Sequence, residues 1–163
     1  MLTFAKESWV YYWPEAQELW QAHYHDAGMT GKMPFGVDVQ RYANASAAGM
    51  LHITTARNKS KLVGYLTAFV LPHSHYQSVL CAFEDTYFLL PEWRRGLNGA
   101  RLIRAAIEQL RSIGVQKMYA YSSLRELHRD GKPPKAVHGL MQYLGFTPDA
   151  LCWSLDLKEA QDE

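Results

Sequence analysis

A basic, glycine-containing turn leads into a helix in the middle of the chain, and its residue types suit an anion. The segment reads Pro91-Glu92-Trp93-Arg94-Arg95-Gly96-Leu97-Asn98-Gly99-Ala100-Arg101-Leu102. The first turn of a helix leaves backbone N–H groups unpaired, and the helix dipole adds partial positive charge there. Gly96 and Gly99 allow close approach to the backbone, and Arg94 and Arg95 add positive charge. The sequence therefore predicts a phosphate or pyrophosphate cradle, with a plain tight turn as the alternative.

Two common phosphate-binding motifs do not fit this segment. No Gly-Lys-Ser or Gly-Lys-Thr follows, so the turn is not a P-loop. The dinucleotide fingerprint needs G-x-G-x-x-G after the first strand of a βαβ unit, whereas several strands of antiparallel pattern precede this turn. The cradle is therefore expected to belong to another kind of fold.

The elements that position the turn follow from residue spacing. Strands are predicted at 9–13, 51–57, 61–71, 78–90 and 115–122, with a final strand or hairpin at 146–157. Helices are predicted at 14–28, 38–47 and 98–113, and from Pro133 or Pro134 to Gly145. This order indicates a single α/β or α+β domain over residues 1–163, with helices on both faces of the sheet.

Composition excludes several classes of protein. The 163 residues are 48% hydrophobic and 20% charged, which is ordinary globular usage and excludes a low-complexity chain. A net charge of +1 does not favour nucleic acid as a partner. Cys81 and Cys152 are too few for a disulfide scaffold and are expected to be buried thiols. We find no run long enough for a membrane span and no signal-peptide pattern, so a cytoplasmic protein is expected.

The central turn resembles motif A of the GNAT acetyltransferase superfamily. That motif reads R/Q-x-x-G-x-G/A and typically follows Pro-Glu and an aromatic residue, as at 91–93 here. An ungapped alignment puts Arg94 at the basic position, Leu97 at the first glycine and Gly99 at the last. Leu97 is a departure from the pattern, and Gly96 is expected to supply the backbone freedom of the missing glycine.

A second alignment, shifted by one residue, puts Arg95, Asn98 and Ala100 on the pattern. This variant resembles acetyltransferase-like proteins of phages and bacteria that carry Arg-Arg-Gly-x-x-Gly. Two further segments support the resemblance, which covers about 49–147. Leu62-Val63-Gly64-Tyr65 is similar to the family's third strand, and Tyr143-Leu144-Gly145-Phe146 to its late Gly-Phe signature.

The resemblance implies a fold and a co-substrate. The fold is a mixed, mostly antiparallel sheet of about six or seven strands that separates between the fourth and fifth, with helices on both faces. Acetyl-CoA is the implied co-substrate, and its acetyl group passes to an amine. Its pyrophosphate would sit on the turn, its pantetheine arm would pair with the preceding strand, and a strand-end N–H would hold the oxyanion. The implied binding residues are Phe88, Leu89, Leu90, Arg94, Arg95, Gly96, Leu97, Asn98, Gly99 and Ala100.

Two adjacent carboxylates are the candidate general bases implied by the resemblance, Glu84 and Asp85. The separation of the fourth and fifth strands would leave a slot for acetyl-CoA. Neighbouring strand residues point to opposite faces, so only one of the two carboxylates lines this slot, and we favour Glu84. The alternative is that both are solvated or paired charges. His75, which shares a face with His73 in an extended loop, is a further candidate. A zinc site is not expected there, because the His-x-His pair has no clear third ligand.

The general acid is the weakest part of the match. Many family members have a tyrosine five residues before the phenylalanine of the Gly-Phe signature, where this chain has Met141. Tyr143 is close by but faces another direction on a helix, and packing is its alternative role. Tyr121, Ser122 or Ser123 could substitute, or the thiolate could leave without an acid.

Two main functions remain open at this stage, beside a third, a phosphate-binding regulator that uses the same turn. The first is an acetyl-CoA-dependent N-acetyltransferase that acts by direct attack in a ternary complex on a small-molecule or protein amine. The second is a non-catalytic protein of the same fold that binds acyl-CoA weakly or not at all, suggested by Leu97 and Met141. No metal or membrane partner is expected, and a homodimer is possible.

Overall fold

A five-stranded mixed sheet organises the first 123 residues. The computed structural model describes residues 1–28, 34–121 and 135–149, which fall in two units, 1–123 and 124–163. The strands are β1 (Leu2–Lys6), β2 (Leu51–Asn58), β3 (Lys61–Pro72), β4 (Leu80–Leu89) and β5 (Lys117–Tyr119), in the spatial order β1-β2-β3-β4-β5. The helices of this unit are α1 (Trp9–Asp26), α2 (Val39–Ala47) and α3 (Asn98–Ser112). The predicted class of mixed, mostly antiparallel sheet is confirmed.

The sheet opens between its fourth and fifth strands. β1, β2, β3 and β4 pair antiparallel in succession, whereas β5 lies parallel to β4. The β4–β5 register ends at Phe83↔Tyr119, but β4 continues to Leu89. Within the described residues, the β5-facing edge of β4 beyond Phe83 therefore has no strand partner. The predicted separation of these two strands is confirmed.

The α1–α2 face of the sheet is covered by aromatic side chains. Trp9, Tyr12 and Trp20 of α1 are buried, and Trp20 stacks on Tyr65 of β3 with ring centroids 5.7 Å apart. The Trp20 indole N–H donates to the Tyr12 hydroxyl at 2.5 Å, so each buried polar atom has a partner. A hydrogen-bonded aromatic layer therefore fixes α1 against the sheet.

The α3 face is closed by an amphipathic helix. Its buried residues recur at helical spacing: Ala100, Leu102, Ile103, Ala106 and Leu110. Beneath them, buried His52 of β2 contacts Gln109 of α3 and Thr54 through its Nε2 atom, at 3.1 and 3.0 Å. Polar groups thus join this face to α3 within an otherwise apolar layer.

Three sequence predictions need correction. Residues 9–13 begin α1, and the first strand is β1 instead. Trp9, Tyr12 and Ala16 are buried at helical spacing. This packing outweighs the preference of aromatic residues for strands. Pro14 consequently lies in the second turn of α1. The strand predicted at 115–122 is only Lys117–Tyr119, because pairing to β4 stops where the two strands separate.

The other predicted elements of the first unit are confirmed within a few residues. Asp38 caps α2 by accepting from the Arg41 backbone N–H at 3.0 Å. Lys59 and Ser60 turn the β2–β3 hairpin, and Lys59 has a φ of 56°. Five strands fall in the described residues; of the last one predicted, 146–149 form none and 150–157 lie outside them.

The second unit contributes one described helix, α4 (Lys135–Tyr143). It ends at Gly145, whose φ is 86°, and the Phe146 N–H donates to the Met141 carbonyl oxygen at 3.0 Å. This is the glycine helix end that the sequence predicted. In the described ranges, no helix combines the length and apolarity needed to span a membrane.

Candidate active site

The central turn joins β4 to the N-terminus of α3. A short 3-10 helix (Pro91–Trp93) follows β4, and Gly96 has a φ of 65°. Leu97 caps the helix with an ordinary φ of −98°, and its carbonyl oxygen accepts the N–H of Arg101 at 2.9 Å. The left-handed position therefore falls on Gly96, which explains why leucine is tolerated at the expected glycine. The free N–H groups of the first helical turn form the base of the predicted cradle.

Gly99, in the first turn of α3, is packed against Tyr87. A Cβ atom at this position would lie 2.5 Å from the Tyr87 hydroxyl. Tyr87 is half-buried on β4, and burial raises the pKa of its hydroxyl to about 12. Any side chain at Gly99 must therefore displace Tyr87, which lies at the open edge of β4.

The two arginines of the turn have different surroundings. The Arg94 guanidinium donates to the Asp26 carboxylate at 2.7 and 3.3 Å and to the Leu89 carbonyl oxygen at 2.7 Å. It also lies 5.3 Å from the centre of the Phe88 ring. Both arginines are exposed, but Arg94 ties the end of α1 to the end of β4 through these hydrogen bonds. Arg95 is the more available of the two for a phosphate.

Glu84 spans the place where the sheet opens. It follows the last β4–β5 pair, and its Oε2 atom accepts the Tyr121 backbone N–H at 3.3 Å. Burial raises the pKa of the Glu84 carboxyl to about 7, and the neighbouring charge of Asp85 acts in the same direction. The Tyr121 hydrogen bond opposes this shift only in part. Glu84 is therefore a carboxyl that exchanges a proton near neutral pH.

Asp85 lies on the opposite face of β4, as the alternation of strand side chains predicted. Thr67 pairs with Thr86 and Ala68 with Glu84, so Asp85 is the extra residue of a β-bulge. Its Oδ2 atom accepts the Tyr42 hydroxyl at 2.7 Å and the Thr67 hydroxyl at 3.1 Å. The bulge directs this exposed carboxylate towards α2.

Asp85 lines a cavity of about 480 Å³ that opens between α1, α2 and the sheet. The rings around it are those of Trp20, His23, Tyr24, Phe35, Tyr42 and Phe69. The sequence analysis did not predict this cavity. Its walls come from segments far apart in the chain, so no local spacing marked them.

His23 lines the cavity and packs against the aromatic residues of the sheet. Its Nδ1 atom lies 3.0 Å from the Tyr65 hydroxyl, and its ring stacks on Phe88 with centroids 4.9 Å apart. Burial lowers the pKa of the His23 imidazole. The ring is therefore neutral at pH 7 and adds no charge to the cavity.

Two other candidates of the first unit, His75 and Tyr121, do not line this cavity. His75 is exposed in the loop before β4, at the opposite end of that ten-residue strand from the cradle. The Tyr121 side chain is 57% exposed, although its backbone N–H reaches Glu84. Tyr143 belongs to α4 of the second unit and is 53% exposed. Ser122 and Ser123 lie outside the described residues.

One backbone carbonyl group at the open edge of β4 already accepts a hydrogen bond. Among the predicted binding residues of β4, Phe88 and Leu89 have buried side chains, so only their backbone is available to a ligand. The Leu89 carbonyl oxygen already accepts from Arg94, and the Leu90 N–H donates to the Val63 carbonyl oxygen at 2.9 Å. The edge available for a pantetheine arm therefore lies between Glu84 and Leu89.

Comparison with known proteins gives a family and a set of similar folds. The model of the acetyltransferase (GNAT) family matches residues 9–129. A search of curated proteins gives no match. The structure is similar to an aminoglycoside acetyltransferase from an uncultured soil metagenomic sample, solved with sisomicin, at 14% identity and a TM-score of 0.70 over 96% of this chain and 97% of that one.

Two further solved structures have the same architecture. One is a predicted acetyltransferase from Clostridium acetobutylicum with acetyl-CoA, at 11% identity and a TM-score of 0.65 over 99% of this chain and 100% of that one. The other is a ribosomal-protein-alanine N-acetyltransferase from Brucella melitensis biovar Abortus 2308, at 13% identity and a TM-score of 0.67 over 97% and 100%. At these identities the likeness shows the fold.

Proposed function

Because the chain belongs to the GNAT acetyltransferase family, we propose that it transfers the acetyl group of acetyl-CoA to a primary amine by direct attack in a ternary complex. The observation that carries this proposal is the open edge of β4, which leads directly into the N-terminus of α3. Acetyl-CoA is the co-substrate, and it supplies an acetyl thioester.

The residues present fit that co-substrate. The unpaired backbone of β4 beyond Phe83 can form the hydrogen bonds of a strand with a pantetheine amide, since the described part of the chain gives it no strand partner. The α3 N-terminus, Gly96 and the exposed Arg95 offer N–H groups and positive charge to a pyrophosphate. Arg94 instead supports the turn through Asp26 and Leu89.

The transfer needs an amine that has lost its proton. An alkylammonium group with a pKa of about 10.4 is neutral only about once in 10³ molecules at pH 7. After one proton leaves, the nitrogen lone pair attacks the thioester carbonyl carbon, the C–N bond forms, and the C–S bond breaks with its electron pair going to sulfur. The second amine proton passes to a base, and the products are an amide and free coenzyme A.

Glu84 is the proposed proton acceptor. It lies at the opening of the slot, and a carboxyl with a pKa of about 7 is half ionised at neutral pH, where a general base is most effective. Tyr121 is the described candidate for protonating the departing sulfur. A thiol with a pKa of about 8.5 can also leave without an acid, so Tyr121 is expected to matter less than Glu84.

The co-substrate site is tested by the melting temperature with and without acetyl-CoA. At about 100 times the dissociation constant, binding adds roughly 2.7 kcal/mol, which shifts the melting temperature of a chain this size on the order of 5–11 °C. We expect this shift with acetyl-CoA and a much smaller one with inorganic phosphate or ATP. Arg95→Glu should reduce it, whereas Glu108→Gln on the exposed side of α3 should not.

The transfer step is tested by release of the coenzyme A thiol with a panel of amines. Amine-dependent release above the hydrolysis background is the expected result. A melting shift without thiol release for any amine would favour the non-catalytic alternative. No shift at millimolar acetyl-CoA would contradict the proposed co-substrate site itself.

A further inference from the structure

The cavity beside β4 has a wall chemistry that selects among amines. Five aromatic rings surround it (Trp20, Tyr24, Phe35, Tyr42 and Phe69), together with the neutral imidazole of His23. Its volume of about 480 Å³ falls in the range that holds a small organic molecule. Such walls gain most from burying a flat apolar body, and their ring faces attract a cation.

One carboxylate is presented to this cavity in a fixed position. Both hydrogen bonds that Asp85 receives from Tyr42 and Thr67 end on Oδ2. They hold the group in place, and the other oxygen, Oδ1, remains to accept from an ammonium group. The β-bulge at Asp85 is the backbone feature that directs it there.

The charges around the cavity match an amine with one positive charge. Among the described residues, the charged ones on its wall are Asp38, Arg41 and Asp85. Asp38 is engaged as the cap of α2, and Arg41 is a cation that repels a second ammonium group. A polyamine or an aminoglycoside, with several positive charges, would meet a single well-placed carboxylate and an opposing arginine.

We propose that the acetyl acceptor is a small primary amine on an aromatic body, bound in this cavity with its ammonium group against Asp85. This inference rests on the proposed function and names its substrate class. Asp85 binds and orients the amine, and its proton passes to Glu84, on the other face of β4, through water at the open edge of the strand. The rings determine which amine enters, and the carboxylate determines where its nitrogen lies.

The panel for the test consists of 2-phenylethylamine, n-hexylamine, spermidine and a short lysine-containing peptide. We expect kcat/KM for 2-phenylethylamine to exceed that for n-hexylamine roughly tenfold and to exceed those for spermidine and the peptide by more. Asp85→Asn should raise KM for 2-phenylethylamine roughly tenfold, since it removes a charge-assisted hydrogen bond. Phe35→Leu should raise it less, and Glu108→Gln serves as the matched control.

Binding is measured separately by calorimetric titration of 2-phenylethylamine into the protein with coenzyme A. Binding that is lost in Asp85→Asn and kept in Glu108→Gln supports the inference even if no thiol is released, in which case only the transfer step has failed. Preference for spermidine or the peptide, or an unchanged KM in Asp85→Asn, would overturn the inference and leave the acetyltransferase activity in place. The acetyl-CoA melting shift of each variant shows that it is folded.

Discussion

Glu84 and Asp85 are neighbours in sequence, carry the same functional group, and lie on opposite faces of β4. Glu84 is half-buried at the opening of the sheet and has a pKa of about 7. Asp85 is exposed in an aromatic cavity and held by two hydroxyl donors. A buried carboxyl suits proton transfer, whereas a fixed, solvated carboxylate suits binding of a cation. The two roles that we propose for one kind of side chain therefore follow from their different surroundings.

The β-bulge makes this division sharper than strand alternation alone. It places both Asp85 and Thr86 on the side of Thr67, which contacts each of them through its hydroxyl, at 3.1 and 2.6 Å. Glu84 and Tyr87 remain on the α3 side. The extra residue of the bulge thus places Asp85 at the cavity and leaves Glu84 at the slot between β4 and β5.

The largest expected effect is on the rate when Glu84 is replaced. Loss of a general base typically costs 10²–10⁴-fold, so Glu84→Gln should lower kcat by that order and leave the acetyl-CoA melting shift unchanged. The base must be ionised, so the wild-type rate should fall as pH drops below about 7. Steady-state rates from pH 5.5 to 9 should show this limb in the wild type and not in the variant.

The same variant should be at least as stable as the wild type above pH 7. A folded-state pKa raised above its unfolded value means that stability is greatest at low pH and is lost as pH rises through about 7, where the carboxyl ionises while buried. Glutamine keeps an acceptor for the Tyr121 N–H and carries no charge. A melting temperature well below that of the wild type at pH 8 would show that the rate loss comes from misfolding.

A third titratable group, His52, is buried beneath α3 and can be compared with the two carboxyls. Burial lowers the pKa of its imidazole to about 4, and its Nδ1 atom has no hydrogen-bond partner among the described residues. A depressed folded-state pKa means that stability is present above 6.5 and is lost as pH falls towards 4. Between pH 7 and 5 the wild type should lose about 2 kcal/mol more than His52→Gln. Urea unfolding at the two pH values checks this, and equal losses would place the titration elsewhere.

The sequence predicted the parts of this arrangement that depend on local pattern. The α3 helix, the β2–β3 hairpin and the turn at Gly96 follow from apolar periodicity and from glycine at positive φ. The opposite faces of Glu84 and Asp85 follow from strand alternation. Residues 9–13 were assigned to a strand because aromatic side chains favour strands, and only the core they pack against makes them helical.

The cavity could not be predicted from local sequence patterns, for a physical reason. Trp20, Tyr42, Phe69 and Asp85 come from four elements and meet only when α1 and α2 cover the sheet. The bulge that turns Asp85 towards them is set by β3–β4 pairing, and nothing in the local spacing marks it. The roles of the two carboxylates therefore depend on tertiary contacts.

The smallest expected effect tests how firmly Asp85 is held. The Tyr42 hydroxyl stays protonated, since burial and its bond to Asp85 raise its pKa, and it donates to Oδ2 at 2.7 Å. Tyr42→Phe keeps the ring in the wall and removes this donor, which is worth about 0.5–1.5 kcal/mol. KM for 2-phenylethylamine should rise roughly two- to tenfold with kcat nearly unchanged, because Glu84 on the other face is not touched. A drop in kcat with unchanged KM would instead show that Tyr42 takes part in the chemical step. That result would contradict the separate roles proposed for the two carboxylates.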